Sequence, residues 1–392
     1  MGFVRDYGVG YLGAFAGLAL VLVVGSALMP QAGSQAGASI PDDRIVAQLQ
    51  VVGGAYPDDL RAVMAAQLSA PDDLSKAQIA ARALIDEGRK RGDSRLVGAA
   101  VGILRPFLAN PTSDTLYLAA TARQYQHDFV GALDMLDQAL VLSPSDLNAQ
   151  LSRATIHTVR GDYDAARQDC QRITAQNRPD IGFLCAATTE VLTSTGPDYA
   201  TRLQAILAQP GLLDPQLHGW AMGLVAEIAL HSGDGKLAKA QLVAVLADDP
   251  LALRERVMLA DMLLAEAKPK DALDILASVP ETDGVLIRRI LAARAMGDKA
   301  EDARLVDVLD KRFKLNLDLG LTAHAREEAL FFLKVVGDPA QALERAKVNW
   351  ALQHEIDDVV LLLDAANAAG LPTAAQPAWD WIAKYKVLPP VR

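Results

Sequence analysis

The sequence predicts an all-α protein, a solenoid of about nine helical hairpins behind one apolar N-terminal span. Three observations carry that expectation. Asp128-Phe129-Val130-Gly131-Ala132 is answered 34 residues later by Asp162-Tyr163-Asp164-Ala165-Ala166, and the period can be followed through most of the 392 residues. Alanine and leucine dominate while aromatic residues make up only 5%, a composition of strong helix formers with few β-branched runs. Gly-Asp pairs recur between the apolar segments, at Gly161-Asp162, Gly233-Asp234 and Gly337-Asp338. Gly permits the positive φ that ends one helix, and Asp caps the next.

Taken in order, residues 1–30 read as a transmembrane anchor. Gly8 to Met29 is 22 residues without a charge, and at ~1.5 Å per residue it spans a hydrocarbon core of about 30 Å. That exceeds the roughly 7–15 apolar residues of a secretory signal and favours an uncleaved helix. Ala36-Gly37-Ala38 nevertheless offers small residues at signal-peptidase spacing. Arg5 is the only base before the span and none follows until Arg44. The basic flank marks the cytoplasmic side, which predicts a single pass through the inner membrane with the rest in the periplasm. Residues 31–40 are built almost wholly from Gly, Ala, Ser and Gln, the composition of a flexible linker.

Residues 41–73 form the expected helical cap. Three Pro-Asp-Asp triplets begin at Pro41, Pro57 and Pro71, each ahead of a helical pattern: Arg44 to Val52, Leu60 to Leu68 and Leu74 to Arg91. Asp suits both the N-cap and the positive end of the helix dipole.

From Leu74 onward the pattern is helix, short turn, helix, repeated. Small residues recur at Val97, Ala132, Ala166, Ala200, Ala238, Ala272, Ala303, Ala342 and Ala375. Twelve positions before four of them stands another Ala, at Ala120, Ala154, Ala226 and Ala260. One small residue per helix lets antiparallel helices approach without leaving a void. Pro144 and Pro250 stop their helices before the next unit.

A 34-residue hairpin with these features resembles the tetratricopeptide repeat. The resemblance covers residues 74–388 as nine units, with 389–392 as a tail, and is tightest around Ala132, Ala166, Ala238 and Ala272. Around Ala303 the spacing shortens, and Asp307 and Asp310 stand where the family has apolar residues. The resemblance implies a right-handed superhelix whose hairpins bury one another's apolar faces, with polar caps at its ends. The last unit, with Trp379 and Trp381, is the expected C-terminal cap.

In that family the first helices line a concave groove that binds a protein or peptide. The matching faces here bring forward Tyr117, Thr121 and Tyr125 in one unit and Asn148 in the next. Further along they offer Trp220, Glu227 and His231, then Arg254 and Asp261, then Arg288. Tyr and Trp are the expected anchors for an extended peptide or a helix. Tyr, Thr and Asn also stand where co-chaperone relatives begin a Lys/Asn/Arg clamp, so the clamp activity is not expected. Cys170 and Cys185 fall on helices that the resemblance makes neighbours. A disulfide there would contribute ~3 kcal/mol in an exported domain, and two buried free thiols fit the same positions.

Other chemistry finds little support. A formal charge of −10 argues against nucleic acid, whose phosphates need a basic face. None of the six histidines has a partner at metal-binding spacing, and no P-loop, dinucleotide or G-x-S-x-G motif occurs. No cofactor, metal or catalytic residue is expected. His127 takes the turn position that Gly161 fills in the next unit. The resulting expectation is a membrane-anchored scaffold binding proteins in assembly, maturation or export at a bacterial cell envelope. Two rival readings are a periplasmic enzyme or transport component with accessory repeats, and a cytosol-facing adaptor.

Overall fold

The computed structural model describes residues 56–209 and 211–387, which form nineteen α-helices joined by short turns. The expected anchor at 8–29, the linker at 31–40, the cap helix at 44–52 and the tail at 389–392 lie outside the described residues. Among the described residues no helix is long and apolar enough to cross a membrane.

Helix α1 (Asp58–Ser69) covers the first face, and the other eighteen pair into nine hairpins. These are α2/α3 (Leu74–Arg91, Ser94–Leu104), α4/α5 (Ser113–Tyr125, Phe129–Leu142) and α6/α7 (Leu147–Val159, Tyr163–Ala175). Then come α8/α9 (Pro179–Glu190, Gly196–Leu207), α10/α11 (Pro215–His231, Gly235–Asp248) and α12/α13 (Leu253–Ala265, Pro269–Leu276). The last three are α14/α15 (Asp283–Met296, Lys299–Asp318), α16/α17 (Ala325–Leu330, Pro339–Trp350) and α18/α19 (Ile356–Ala368, Gln376–Tyr385). A π-helical turn, Phe331–Val336, prolongs α16.

Aspartate sets the start of most second helices. Asp93, Asp128, Asp162, Asp234, Asp298 and Asp338 each accept a hydrogen bond from a backbone N–H in the first turn that follows. The turns before them use the left-handed region: φ is +74° at Gly161 and +60° at His127, so His127 does hold the place of the glycine. Val97, Ala132, Ala166, Ala200, Ala238, Ala272, Ala342 and Ala375 are all buried, as are Ala120, Ala154, Ala226 and Ala260. The small residues thus occupy buried positions on both helices of these hairpins.

Ala303 is the exception, and its assignment needs correction, because it faces solvent. Counting four residues from the cap, as in the other units, leads from Asp298 to Asp302. The Asp302 carboxylate sits 2.9 Å from Arg294 Nε of the preceding helix, so an ion pair fills the slot that alanine fills elsewhere. The buried stripe of α15 is Leu305, Leu309, Phe313 and Asn316. Asp307 and Asp310 lie off that stripe and pair with Lys311 and Lys314.

The chain of hairpins also closes on itself. Trp381 Nε1 of α19 donates to the Gly161 carbonyl at 3.0 Å, across 220 residues of sequence. The His354 N–H donates to the Val159 carbonyl at 2.7 Å, and the Ser194 N–H to the Lys386 carbonyl at 2.9 Å. Thr193 and Val387 form an antiparallel β-bridge. Tyr163 packs against Trp381 and Tyr385, with ring centroids 5.4 and 5.0 Å away. One continuous apolar core therefore includes Leu151, Tyr163 and Leu184 together with Leu362, Trp381 and Val387. This corrects the expected C-terminal cap: the last hairpin docks on the third and fourth instead of ending an open superhelix. Trp381 is the residue that docks, while Trp379 is exposed. Gly161 is required twice over, since a Cβ there would stand 2.6 Å from Trp381 Nε1 and 2.9 Å from His354 Cβ.

Cys170 of α7 and Cys185 of α8 form a disulfide, with Cα atoms 5.4 Å apart. It staples the third hairpin to the fourth, the two that receive the closing contact.

Candidate functional site

Five successive first helices, α10, α12, α14, α16 and α18, turn one face each toward a common cavity of about 520 Å³. The helical period decides which residues face it. On α12 the lining runs Arg254, Met258, Asp261, Met262 and Ala265; on α14 it runs Gly284, Ile287, Arg288 and Leu291. Spacings of three, four and seven place each set on one helical stripe. Leu230, Leu330, Leu333, Val360 and Leu361 complete a wall that is mostly aliphatic and methionine.

The charged groups in this wall bridge one hairpin to the next. Arg254 of α12 lies 2.5 Å from Glu227 of α10, with His231 at 3.9 Å on the same carboxylate. Arg288 of α14 grips Asp261 of α12 through two hydrogen bonds of 2.8 and 2.6 Å. Arg326 of α16 holds Asp358 of α18 through bonds of 2.6 and 2.7 Å and also pairs with Glu355. Lys334 lies 3.7 Å from Asp364. Each rung ties neighbouring first helices and leaves the aliphatic residues to face the opening.

Electrostatics differ from rung to rung. Burial pushes Glu227 upward, but the Arg254 guanidinium beside it prevails and holds the carboxyl at about 2. Burial prevails at Glu355, which is lifted to about 7 despite Arg326, with Asp358 adding repulsion. Burial likewise raises Asp261 and Glu327 above the usual carboxylate range. Among the described residues no group of three or more His, Cys, Asp or Glu is arranged to hold a metal ion.

The structure divides the sequence-derived groove residues into two sets. Glu227, His231, Arg254, Asp261 and Arg288 line the cavity together. Tyr117, Thr121, Tyr125, Asn148 and Trp220 do not line this cavity. Tyr117 and Thr121 are buried in the N-terminal core, where the Thr121 hydroxyl donates to the Tyr117 carbonyl at 2.8 Å. The Tyr125 hydroxyl is buried, and burial lifts its pKa to about 12. Asn148 is half-buried near the start of α6. The Trp220 indole donates to the Thr188 hydroxyl at 3.2 Å, between helices α10 and α8.

Arg326, Glu355 and Asp357 line the cavity and were missed by sequence reasoning. Asp357 stands eighteen residues before Ala375, the offset that Arg254 has from Ala272, so the hairpin register itself carried the signal for it. Asp338, which caps α17, was the signal that fixes α16, and a face one residue wider would have included Arg326.

No protein-family model matches the sequence, and no curated protein matches it. Solved structures similar to it include a tetratricopeptide repeat protein from Parabacteroides merdae, at 14% identity and a TM-score of 0.36. That match covers 75% of this chain and 98% of that one. Another is the APC/C heterotetramer Cut9–Hcn1, at 15% identity and a TM-score of 0.39, covering 83% of this chain and 72% of that one. The helical-hairpin repeat of the present chain stands on its own packing geometry.

Proposed function

We propose that this chain is a binding scaffold, anchored to the membrane of a bacterial cell envelope, that takes a peptide segment of a client protein into its inner cavity. It acts by holding its client, with no turnover. The observation that carries this reading is the convergence of five first helices on one apolar cavity whose shape is fixed by inter-hairpin ion pairs. A pre-organised surface of this kind lowers the ordering cost of binding. Its volume falls in the range of about 300–1,000 Å³ typical of specific pockets, room for a few side chains of a helix or extended segment. The uncharged stretch Gly8 to Met29 supports the anchor. The disulfide supports export, because such bonds persist in oxidising compartments.

Photocrosslinking tests the reading. A benzophenone amino acid at Met258 or Met262, inside the cavity, is expected to capture a discrete client in intact cells. The same group at the exposed Val243 is expected to capture none. Equal capture at all three positions would reject the cavity. A phosphatase fused after Arg392 reports topology: activity supports the periplasmic placement, and silence favours the cytosol-facing rival.

A further inference from the structure

The charges that line the cavity do not balance. Its cations are Arg254, Arg288, Arg326 and Lys334, and its acids are Glu227, Asp261, Glu327, Glu355, Asp357 and Asp364. All four cations are committed: to Glu227, to Asp261, to Glu355 with Asp358, and to Asp364. Glu327 and Asp357 remain, and among the described residues no ion pair reaches either carboxylate. Glu327 is 6% exposed. Burial lifts its pKa, and the nearby Arg326 and His324 offset this only in part. Arg288 lies within electrostatic reach of both Glu327 and Asp357 while its guanidinium is bound to Asp261. Of the two acids left over, Asp357 is exposed and Glu327 is buried, and the arginines that reach them, Arg288 and Arg326, are already bound to other carboxylates. A buried carboxylate without a counter-charge is costly, and an incoming cation removes that cost.

We infer, on the reading of this cavity as a peptide site, that its occupant is cationic: an apolar segment carrying a lysine or arginine whose head group Glu327 and Asp357 receive. The aliphatic and methionine wall takes the apolar side chains, and the unpaired acids select the charge. An acidic segment meets the same two carboxylates with repulsion.

Fluorescence anisotropy on the purified full chain in detergent tests this, using a short amphipathic Leu/Lys peptide and its Leu/Glu counterpart. Salt of about 0.15 M screens long-range attraction to the acidic exterior. The Leu/Lys peptide is expected to bind at least tenfold more tightly than the Leu/Glu peptide. Glu327→Gln and Asp357→Asn are each expected to weaken it about tenfold, and Glu344→Gln on the exposed side of α17 to leave it unchanged. Asp357 is exposed, so its variant carries the test if Glu327→Gln does not fold. Equal binding of both peptides, or wild-type affinity in both acid variants, would overturn the cationic preference. If Met258→Trp still blocked binding in that case, the cavity reading would survive. Binding of neither peptide would remove the cavity reading along with it.

Discussion

The Trp381 indole donates to the carbonyl of Gly161, and this one bond joins the ninth hairpin to the turn of the third. Around it, Tyr163, Trp350, His354 and Tyr385 form an aromatic cluster, with His354 stacked on Trp381 at 5.8 Å. Trp381→Ala removes a large buried side chain and is expected to cost about 3–5 kcal/mol. Trp381→Phe keeps most of the packing and loses the hydrogen bond, at about 1 kcal/mol. Urea denaturation measures both. Hydrogen exchange in the alanine variant should rise first in α19 and the α6–α7 turn.

The Arg326 guanidinium stands between the Asp358 and Glu355 carboxylates on the cavity wall. Asp358 also accepts a hydrogen bond of 2.6 Å from Asn349 and is 1% exposed. Arg326→Met leaves Asp358 buried beside Glu355 without a cation, and is expected to cost about 3–5 kcal/mol. Adding Asp358→Asn should restore part of that loss. A double-mutant cycle by chemical denaturation measures the coupling.

Stability should depend on pH in two opposed ways. Glu355 titrates at about 7 when folded, above its unfolded value. The folded state therefore holds the extra proton, and stability falls as pH rises from about 4.3 to 7. With Glu355 partly exposed, this amounts to about 1–2 kcal/mol. His127, held at about 4 chiefly by burial, acts the other way. Its unfolded form takes up the proton first, so stability falls as pH drops from about 6.5 to 4. Glu355→Gln should raise Tm relative to wild type more at pH 7.5 than at pH 5, conditions chosen to bracket the interval of about 4.3 to 7. His127→Asn, which suits the positive φ, should blunt the loss on the acid side.

Ala267 sits at φ +57° in the α12–α13 turn, where glycine or asparagine is preferred. It is exposed, so no packing compensates. Ala267→Gly is expected to stabilise by about 0.5–1 kcal/mol, read as an upward shift in Tm.

The repeat was legible because its signals are local. An aspartate cap, a residue that tolerates positive φ and a small residue four positions on from the cap recur in most of the hairpins, so Asp128, His127 and Ala132 could be read together. The unit at α14/α15 misled for a related reason: an Asp302–Arg294 ion pair replaces the small residue, and the nearest alanine lies one position off. Half of the residues named from the sequence, Glu227, His231, Arg254, Asp261 and Arg288, line the cavity because they follow the hairpin register. The closure was not legible. Trp381 and Gly161 are far apart in sequence, and nothing local distinguishes a tryptophan that caps a free end from one that docks on a distant turn. Tyr117 and Tyr125 meanwhile belong to the N-terminal core, which their local pattern did not reveal.

Closure of the hairpin array brings α7 and α19 together, and an electron–electron distance between them measures it. Spin labels at Asp164→Cys on α7 and Asp380→Cys on α19 occupy exposed positions. The native cysteines, tied in their disulfide, do not react. One narrow distance is expected, as for helices that pack about 10 Å apart. A broad distribution at long distance, unchanged in Trp381→Ala, would show an open superhelix and contradict closure.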